Sequence, residues 1–355
     1  MFNLEKLIRA NILALTPYSS ARDEFKGEAK VFLDANENSF GSPAGDSYNR
    51  YPDPMQKNLK DRLSAIKGVP AGNIFLGNGS DEVIDILFRV FCEPGRDNVI
   101  IVPPTYGMYE VSANINAVEV RKVPLTAEFQ LNVEGISEAV DENTKLIFIC
   151  SPNNPTGNSI DRDDVEFVLN NFNGIVAVDE AYINYSRQKS FIAELTEYPN
   201  LVVMQTLSKA WGLAGVRIGM LFASDEIIAV MNKVKPPYNI GTPAQELALN
   251  ALNRIQEVNE WIRTTVSERD RLIRELARNL LIRKIYPSDA NFLLVKVDEP
   301  KMVYNYLVDK GIIIRDRSGV TLCEGCLRIT VGTPEENEML LTELNNYSKQ
   351  FSFNQ

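Results

Sequence analysis

Thr206-Leu207-Ser208-Lys209-Ala210-Trp211-Gly212-Leu213-Ala214-Gly215-Val216-Arg217-Ile218-Gly219 follows directly on the apolar run Leu201-Val202-Val203-Met204. A lysine between a strand and a glycine-rich turn, flanked by Leu207, Ala210, Trp211 and Leu213, is poorly explained as a solvated surface residue. In apolar surroundings its pKa is depressed and it can act as a nucleophile. The preceding run has three counterparts: Val99-Ile100-Ile101-Val102, Leu146-Ile147-Phe148-Ile149 and Ile175-Val176-Ala177-Val178. None alternates polar with apolar, so each reads as a strand buried on both faces, and together they predict a parallel sheet covered by helices. Helical patterns over 81–91, 106–114 and 163–171 supply the cover.

Working outward, a long helical pattern after Pro243 keeps Leu247, Leu252, Ile255, Ile262 and Val266 on one face and runs towards Leu276. A helix of that length often joins two domains, and 355 residues are too many for one ordinary core. Beyond it, residues 292–297, 302–308, 312–314, 327–331 and 335–347 read as strand, helix, strand, strand and helix, a small α+β domain to which residues 31–34 could add a strand. The expected division is an N-terminal arm (1–25), a large α/β domain (46–257) and a small domain built from 26–45 and 258–355. In the arm, Leu4, Leu7, Ile8, Ile12 and Leu15 fall at helical spacing, as in an amphipathic segment packed on its own domain or on a partner subunit.

Composition narrows the function. The net charge of -10 disfavours a nucleic-acid partner, which needs a basic face, but leaves room for a local basic pocket that takes a small anion. No run is apolar and long enough to span a membrane, and residues 1–15 lack the core and cleavage site of a signal peptide. The chain has no histidine, so acid–base work falls to Lys, Tyr, Cys or carboxylates. Cys92, Cys150, Cys323 and Cys326 read as reduced thiols of a cytoplasmic protein; Cys323-x-x-Cys326 has no second pair at zinc spacing, and no metal is expected.

Three further motifs sit just after buried runs, at the carboxyl strand ends where open α/β sheets bind ligands. Leu76-Gly77-Asn78-Gly79-Ser80-Asp81-Glu82 leads into an apolar helix. Its N–H groups could hold a phosphate, though Ser80 could equally be a plain cap. Ser151-Pro152-Asn153-Asn154-Pro155-Thr156-Gly157 is a turn that also makes a polar ledge. Val178-Asp179-Glu180-Ala181-Tyr182 delivers an acid at a strand end, with a tyrosine three residues on; alone, that acid could be a helix cap.

Together these four motifs resemble the aspartate-aminotransferase-like enzymes, the fold type I pyridoxal 5'-phosphate (PLP) transferases. The narrower resemblance, nearly end to end, is to the histidinol-phosphate aminotransferase family. It is carried by Thr16-Pro17-Tyr18, Asp34-Ala35-Asn36-Glu37-Asn38, Arg50-Tyr51-Pro52-Asp53, Pro103-Pro104-Thr105-Tyr106-Gly107-Met108-Tyr109, Ile314-Arg315-Asp316-Arg317 and Cys326-Leu327-Arg328-Ile329-Thr330-Val331-Gly332. The resemblance implies that Lys209 forms a Schiff base with PLP and shuttles the proton. It implies that Asp179 faces the ring nitrogen, that Tyr182 and Asn154 bind the ring hydroxyl, and that Tyr106 packs on the ring. The cofactor phosphate would take N–H groups at Ser80 and Asp81, the Ser208 hydroxyl and Arg217, with Tyr51 donated by the second subunit of a homodimer. Arg328 would clamp an α-carboxylate; Arg315 and Tyr18 would hold the distal anion, phosphate in histidinol phosphate or carboxylate in glutamate, with 2-oxoglutarate as acceptor. An aromatic aminotransferase, a threonine-phosphate decarboxylase on the same scaffold and a non-enzymatic PLP-binding regulator stand as alternatives, the last disfavoured for want of a DNA-binding domain.

Overall fold

The computed structural model describes residues 2–18, 30–45 and 48–353. Its large sheet has seven strands: β1 (Ile74–Asn78), β2 (Asn98–Ile101), β3 (Glu119–Lys122), β4 (Thr144–Cys150), β5 (Ile175–Asp179), β6 (Leu201–Thr206) and β7 (Ile218–Phe222). They lie in the order β1-β7-β6-β5-β4-β2-β3. The pairs among β2 to β6 are parallel, and β7 runs antiparallel between β6 and β1. β1, β4, β5 and β6 therefore end at one edge.

The non-alternating runs are explained by cores on both faces. Successive residues of one strand go to opposite cores. Val176 and Val178 join one with Ile147, Ile149 and Val203; Ile175 and Ala177 join the other with Leu146, Phe148 and Val202. Each buried Val, Leu or Ile contributes about 1.5–3 kcal/mol. The helices Gly79–Phe91, Met108–Ile115 and Arg162–Asn171 match the predicted cover to within a few residues.

A second, antiparallel sheet holds β8 (Ile282–Ile285), β9 (Phe292–Val297), β10 (Arg315–Asp316) and β11 (Cys326–Thr330) in the order β10-β11-β9-β8. Here the period is two. Leu293, Val295, Val297, Leu327 and Ile329 form a small core with the helices Pro300–Asp309 and Pro334–Phe353. Phe292, Leu294, Arg328 and Cys326 point the other way, towards the large sheet.

Four expectations are corrected. Residues 31–34 form no strand; the sheet edges they could have extended are held by β8, which the sequence reading missed, and β10. Residues 312–314 are not a strand either, because the chain is still turning off the preceding helix through Gly311 (φ +78°), with Ile312 N–H donating to the Leu307 carbonyl. The long helix is two, Thr242–Leu252 and Ile255–Leu276, interrupted at Asn253-Arg254. Val258 of the second lies in the large core and Leu272 and Leu276 in the small one, so that helix bridges the two units. The arm is likewise split, into Leu4–Leu7 and Ala10–Leu13, because the extended Arg9 donates its N–H to the Val90 carbonyl (3.0 Å); Ile8 and Ile12 still pack on the chain's own core. The expected boundaries at 25/26 and 45/46 lie outside, or at the limit of, the described residues. No helix of the described residues is long and apolar enough to cross a membrane.

Candidate active site

Because the strand ends converge, residues far apart in sequence line one cavity of about 140 Å³: Ser80, Asp81, Tyr106, Asn154, Asp179, Tyr182, Ser208, Lys209 and Arg217. All nine were predicted site residues. Cys150, Thr206, Ala181 and Ala214 complete the lining.

Lys209 sits on the turn after β6, where Gly212 (φ +66°) lets the chain fold back and donate its N–H to the Lys209 carbonyl (3.0 Å). Its Nζ lies 5.7 Å from the centre of the Tyr182 ring. The residue is exposed as well as lining the cavity. Partial burial, and then the Arg328 charge, hold its ammonium below the ordinary lysine range despite the opposing pull of Asp179. That favours a neutral, nucleophilic amine.

Asp179 is buried at the end of β5. One carboxylate oxygen accepts the Ala181 N–H (3.0 Å) and the other the Tyr109 hydroxyl (2.6 Å). Burial pushes the carboxyl up, and these two donors hold it down in part. The neighbouring Glu180 turns away, accepting bonds from the Phe191 N–H (2.7 Å) and Gln205 (2.8 Å), so the paired acids of the motif serve opposite sides. The same division separates the two asparagines: Asn153 bonds the Pro104 carbonyl and Thr156 (both 2.8 Å) and builds the ledge, while Asn154 faces the cavity.

The helix Gly79–Phe91 begins without a side-chain cap from Asn78, so its first-turn N–H groups have no side-chain acceptor there. Ser80 lies inside the helix rather than capping it. Register brings Arg217 over this end: Asn78 pairs with Ile218, and the Gly79 N–H donates to the Arg217 carbonyl (2.9 Å). Arg217 is left-handed (φ +59°) and reaches Asp81 at 3.1 Å, while Tyr106 donates to the other oxygen of Asp81 at 3.1 Å. The glycines are required. A Cβ on Gly79 would stand 2.3 Å from Arg217 Nη2, and one on Gly219 would stand 2.4 Å from the Ser80 nitrogen. A helix N-terminus, a hydroxyl and an arginine around a space kept open by two glycines fit a phosphate. With an amine and a buried carboxylate across the same cavity, the donor set fits PLP.

On the facing small sheet, Arg328 donates to the Asn154 side-chain oxygen, and Asn154 in turn donates to the Tyr182 hydroxyl (3.5 Å). Its guanidinium lies 5.2 Å from the centre of the Phe292 ring, and its Nε is buried without a partner. Arg315 pairs with Arg328 across the strands but is itself exposed and outside the cavity wall. Tyr18 also stands exposed outside it. Tyr51 lies in a separate groove, stacked on Tyr238 at 4.5 Å. There Glu37 ties two sequence motifs together, pairing with Arg50 (2.6 Å) and accepting the Tyr51 N–H (2.7 Å). One chain thus assembles nine of the predicted residues in its cavity, brings Arg328 to them through Asn154, and leaves Tyr18, Tyr51 and Arg315 outside.

Sequence reasoning quoted Tyr109 and Arg317 inside motifs but gave them no role. Tyr109 is fully buried, stacked on Phe148 (4.8 Å) and bonded to Asp179. Its position three residues after Tyr106 would place it on the inward face of a helix, the one signal available. Arg317 lies two residues beyond Arg315 on the same edge of the small sheet, its Nε buried without a partner.

The family model for aminotransferase class I and II matches residues 23–344. The histidinol-phosphate aminotransferase of Parabacteroides distasonis is 55% identical over 346 residues, 98% of this chain and 99% of that one. Among solved structures, the histidinol-phosphate aminotransferase of Clostridium acetobutylicum superposes with a TM-score of 0.79 at 25% identity, over 85% of this chain and 92% of that one. The Sinorhizobium meliloti enzyme of the same name, in complex with pyridoxal-5'-phosphate, gives 0.78 at 26% identity, over 89% and 90%.

Proposed function

From the premise that the chain belongs to the PLP-dependent class I and II aminotransferases, and within them to the histidinol-phosphate aminotransferases, we propose that it moves an amino group between histidinol phosphate and 2-oxoglutarate, in histidine biosynthesis. The observation that carries this reading is the single cavity in which Lys209, Asp179 and Tyr182 meet a phosphate cradle made by Ser80, Asp81 and Arg217.

Bound PLP supplies an electrophilic carbonyl and an electron-withdrawing ring. The chain's own residues do the rest. Lys209 supplies the amine that holds the cofactor and then moves the proton at the substrate carbon. Asp179 presents its carboxyl to the ring nitrogen, with Tyr109 and the Ala181 N–H partly offsetting the rise that burial imposes on it. Tyr182 and Asn154 orient the ring hydroxyl, and Tyr106 packs on the ring. The Ser80 and Asp81 N–H groups, Ser208 and Arg217 bind the cofactor phosphate. Arg328 binds an α-carboxylate. Arg315 and Tyr18 bind the distal anion.

The assembly proposed is a homodimer in which Tyr51 reaches the second subunit's cofactor phosphate. Two observations support it: Tyr51 turns away from its own chain's cavity, and the surrounding segment exposes Leu33 (82%) and Phe40 (103%), apolar surface that a second copy would bury. Four buried free cysteines accord with a reducing cytoplasm.

A coupled assay of purified protein, comparing histidinol phosphate, phenylalanine, tyrosine and threonine phosphate as donors to 2-oxoglutarate, tests the function. Histidinol phosphate should show the highest kcat/KM. A higher value for phenylalanine or tyrosine would return the aromatic reading, and carbon dioxide release from threonine phosphate the decarboxylase reading.

A further inference from the structure

We propose that Arg317 is a specificity-determining residue of the distal-anion site, the charge that lets the site accept a phosphate dianion as well as a carboxylate. The inference rests on the function proposed above.

The argument begins with register. β10 and β11 pair Arg315 with Arg328 and Asp316 with Leu327, and the Arg317 N–H continues the ladder by donating to the Cys326 carbonyl (2.9 Å). Directly opposed residues share a face, as do residues two apart along a strand. Arg315, Arg317 and Arg328 therefore lie on one face, the one turned to Asn154 and Tyr182 rather than to the small core. Directly opposed Cα atoms are about 4.5–5.5 Å apart and diagonal neighbours about 7–8 Å. The three are near enough for the Arg315 charge to act on Arg317, and for the Arg317 and Arg315 charges to act on Arg328.

No carboxylate neutralises them. Among the described residues none of the three forms an ion pair, and the nearest acid in sequence, Asp316, accepts both the N–H and the hydroxyl of Ser318 (2.8 and 2.6 Å). Arg317 and Arg328 each keep a buried Nε without a partner. Burial and the neighbouring guanidinium charges hold both below the ordinary arginine range, which marks the cost of bringing like charges together. Packing three like charges without a counter-ion makes sense if an anion of more than one charge completes the patch.

The two substrates present their charge differently. Glutamate divides it between two carboxylates, which Arg328 and Arg315 can take singly. Histidinol phosphate has no carboxylate and concentrates up to two charges on one group, at which more than one guanidinium must converge. The additional guanidinium is Arg317.

Arg317→Gln keeps the stem and removes the charge. In single-turnover reactions of the PLP-loaded protein it should lower kcat/KM for histidinol phosphate about 10–100-fold, because one charge-assisted contact to the phosphate is lost. The loss with glutamate should be at least fivefold smaller. Arg317→Lys, which retains the charge, should recover most of the histidinol-phosphate reactivity. Equal losses with both donors, no loss with either, or a lysine variant no better than glutamine would each overturn the proposal. If the glutamine variant does not fold, Arg317→Met, which also keeps an apolar stem and removes the charge, takes its place with the same expected and refuting results. If the wild type does not use histidinol phosphate, the function proposed above fails but Arg317 remains testable. Inorganic phosphate should then inhibit the wild-type glutamate half-reaction at least tenfold more strongly than that of Arg317→Gln, and equal inhibition overturns the assignment.

Discussion

Replacing Tyr109 by Phe removes one oxygen from the interior and leaves the ring where it stacks on Phe148 (4.8 Å) and meets Tyr106 edge-on (5.6 Å). What is lost is the 2.6 Å bond to Asp179. A bond to a charged, buried acceptor is worth about 1.5–3 kcal/mol. The sign of its pH dependence follows from Asp179, whose carboxyl burial holds above its ordinary value in spite of Tyr109 and the Ala181 N–H. A carboxyl raised on folding binds its proton more tightly in the folded chain. Its favourable contribution is therefore complete below the unfolded pKa and is lost as pH rises through the folded pKa. Near neutrality the buried anion is a cost, and the tyrosine limits it. In Tyr109→Phe the folded carboxyl pKa rises further. The PLP-free variant should melt a few degrees below the wild type at pH 7.5, at about 2 °C per kcal/mol for a chain of this size. As the pH is lowered from 7.5 and more of the carboxyl is protonated, in the variant before the wild type, the gap should shrink. Loading with PLP should also narrow it, since the ring nitrogen offers the carboxylate a new partner, and kcat should fall about tenfold or more. Melting curves across this pH range, with and without PLP, are the measurement. A gap of constant size at every pH, or none, would falsify the electrostatic role and leave Tyr109 as packing.

Lys209→Ala should abolish turnover and the borohydride-trapped link to the chain; an adduct trapped on another lysine would overturn the assignment. Gly79→Ala places a methyl 2.3 Å from Arg217 Nη2 at a backbone φ of +76°, so PLP should dissociate at least tenfold faster, and unchanged retention would remove Arg217 from the phosphate cradle. Mixing inactive Tyr51→Phe with Lys209→Ala should restore activity, because a mixed dimer has one site carrying both lesions and one carrying neither. Absence of recovery, with subunit exchange shown independently, would put Tyr51 in its own chain's site.

How far the sequence could be read depended on whether a signal was local. The strands around Ile147, Val176 and Val203 were legible because burial on both faces leaves an unbroken apolar run. The cavity was legible because its residues follow those runs at the strand ends. β8 was not, since Ile282-Arg283-Lys284-Ile285 is a polar edge strand with little burial. The break at Asn253-Arg254 was hidden because no glycine or proline marks it in the sequence. Tyr109 and Arg317 escaped because their roles depend on a third dimension: one looks inward at a residue 70 positions away, and the other acquires its neighbours only through a two-residue strand pairing.

That pairing has an evolutionary consequence. β10 is two residues long at the rim of its sheet, and Arg315 within it and Arg317 just beyond it lie opposite the face that packs the small core. Exchanging a residue there rewrites what the rim attracts while removing no core contact, so the step costs little folding stability. The machinery on the large sheet is under the opposite constraint, since Asp179, Gly79 and Gly219 are each locked by neighbours at contact distance. A lineage built on this architecture can therefore drift in the acids it selects while its chemistry stays fixed, and selectivity should diverge between relatives first at positions 315 and 317.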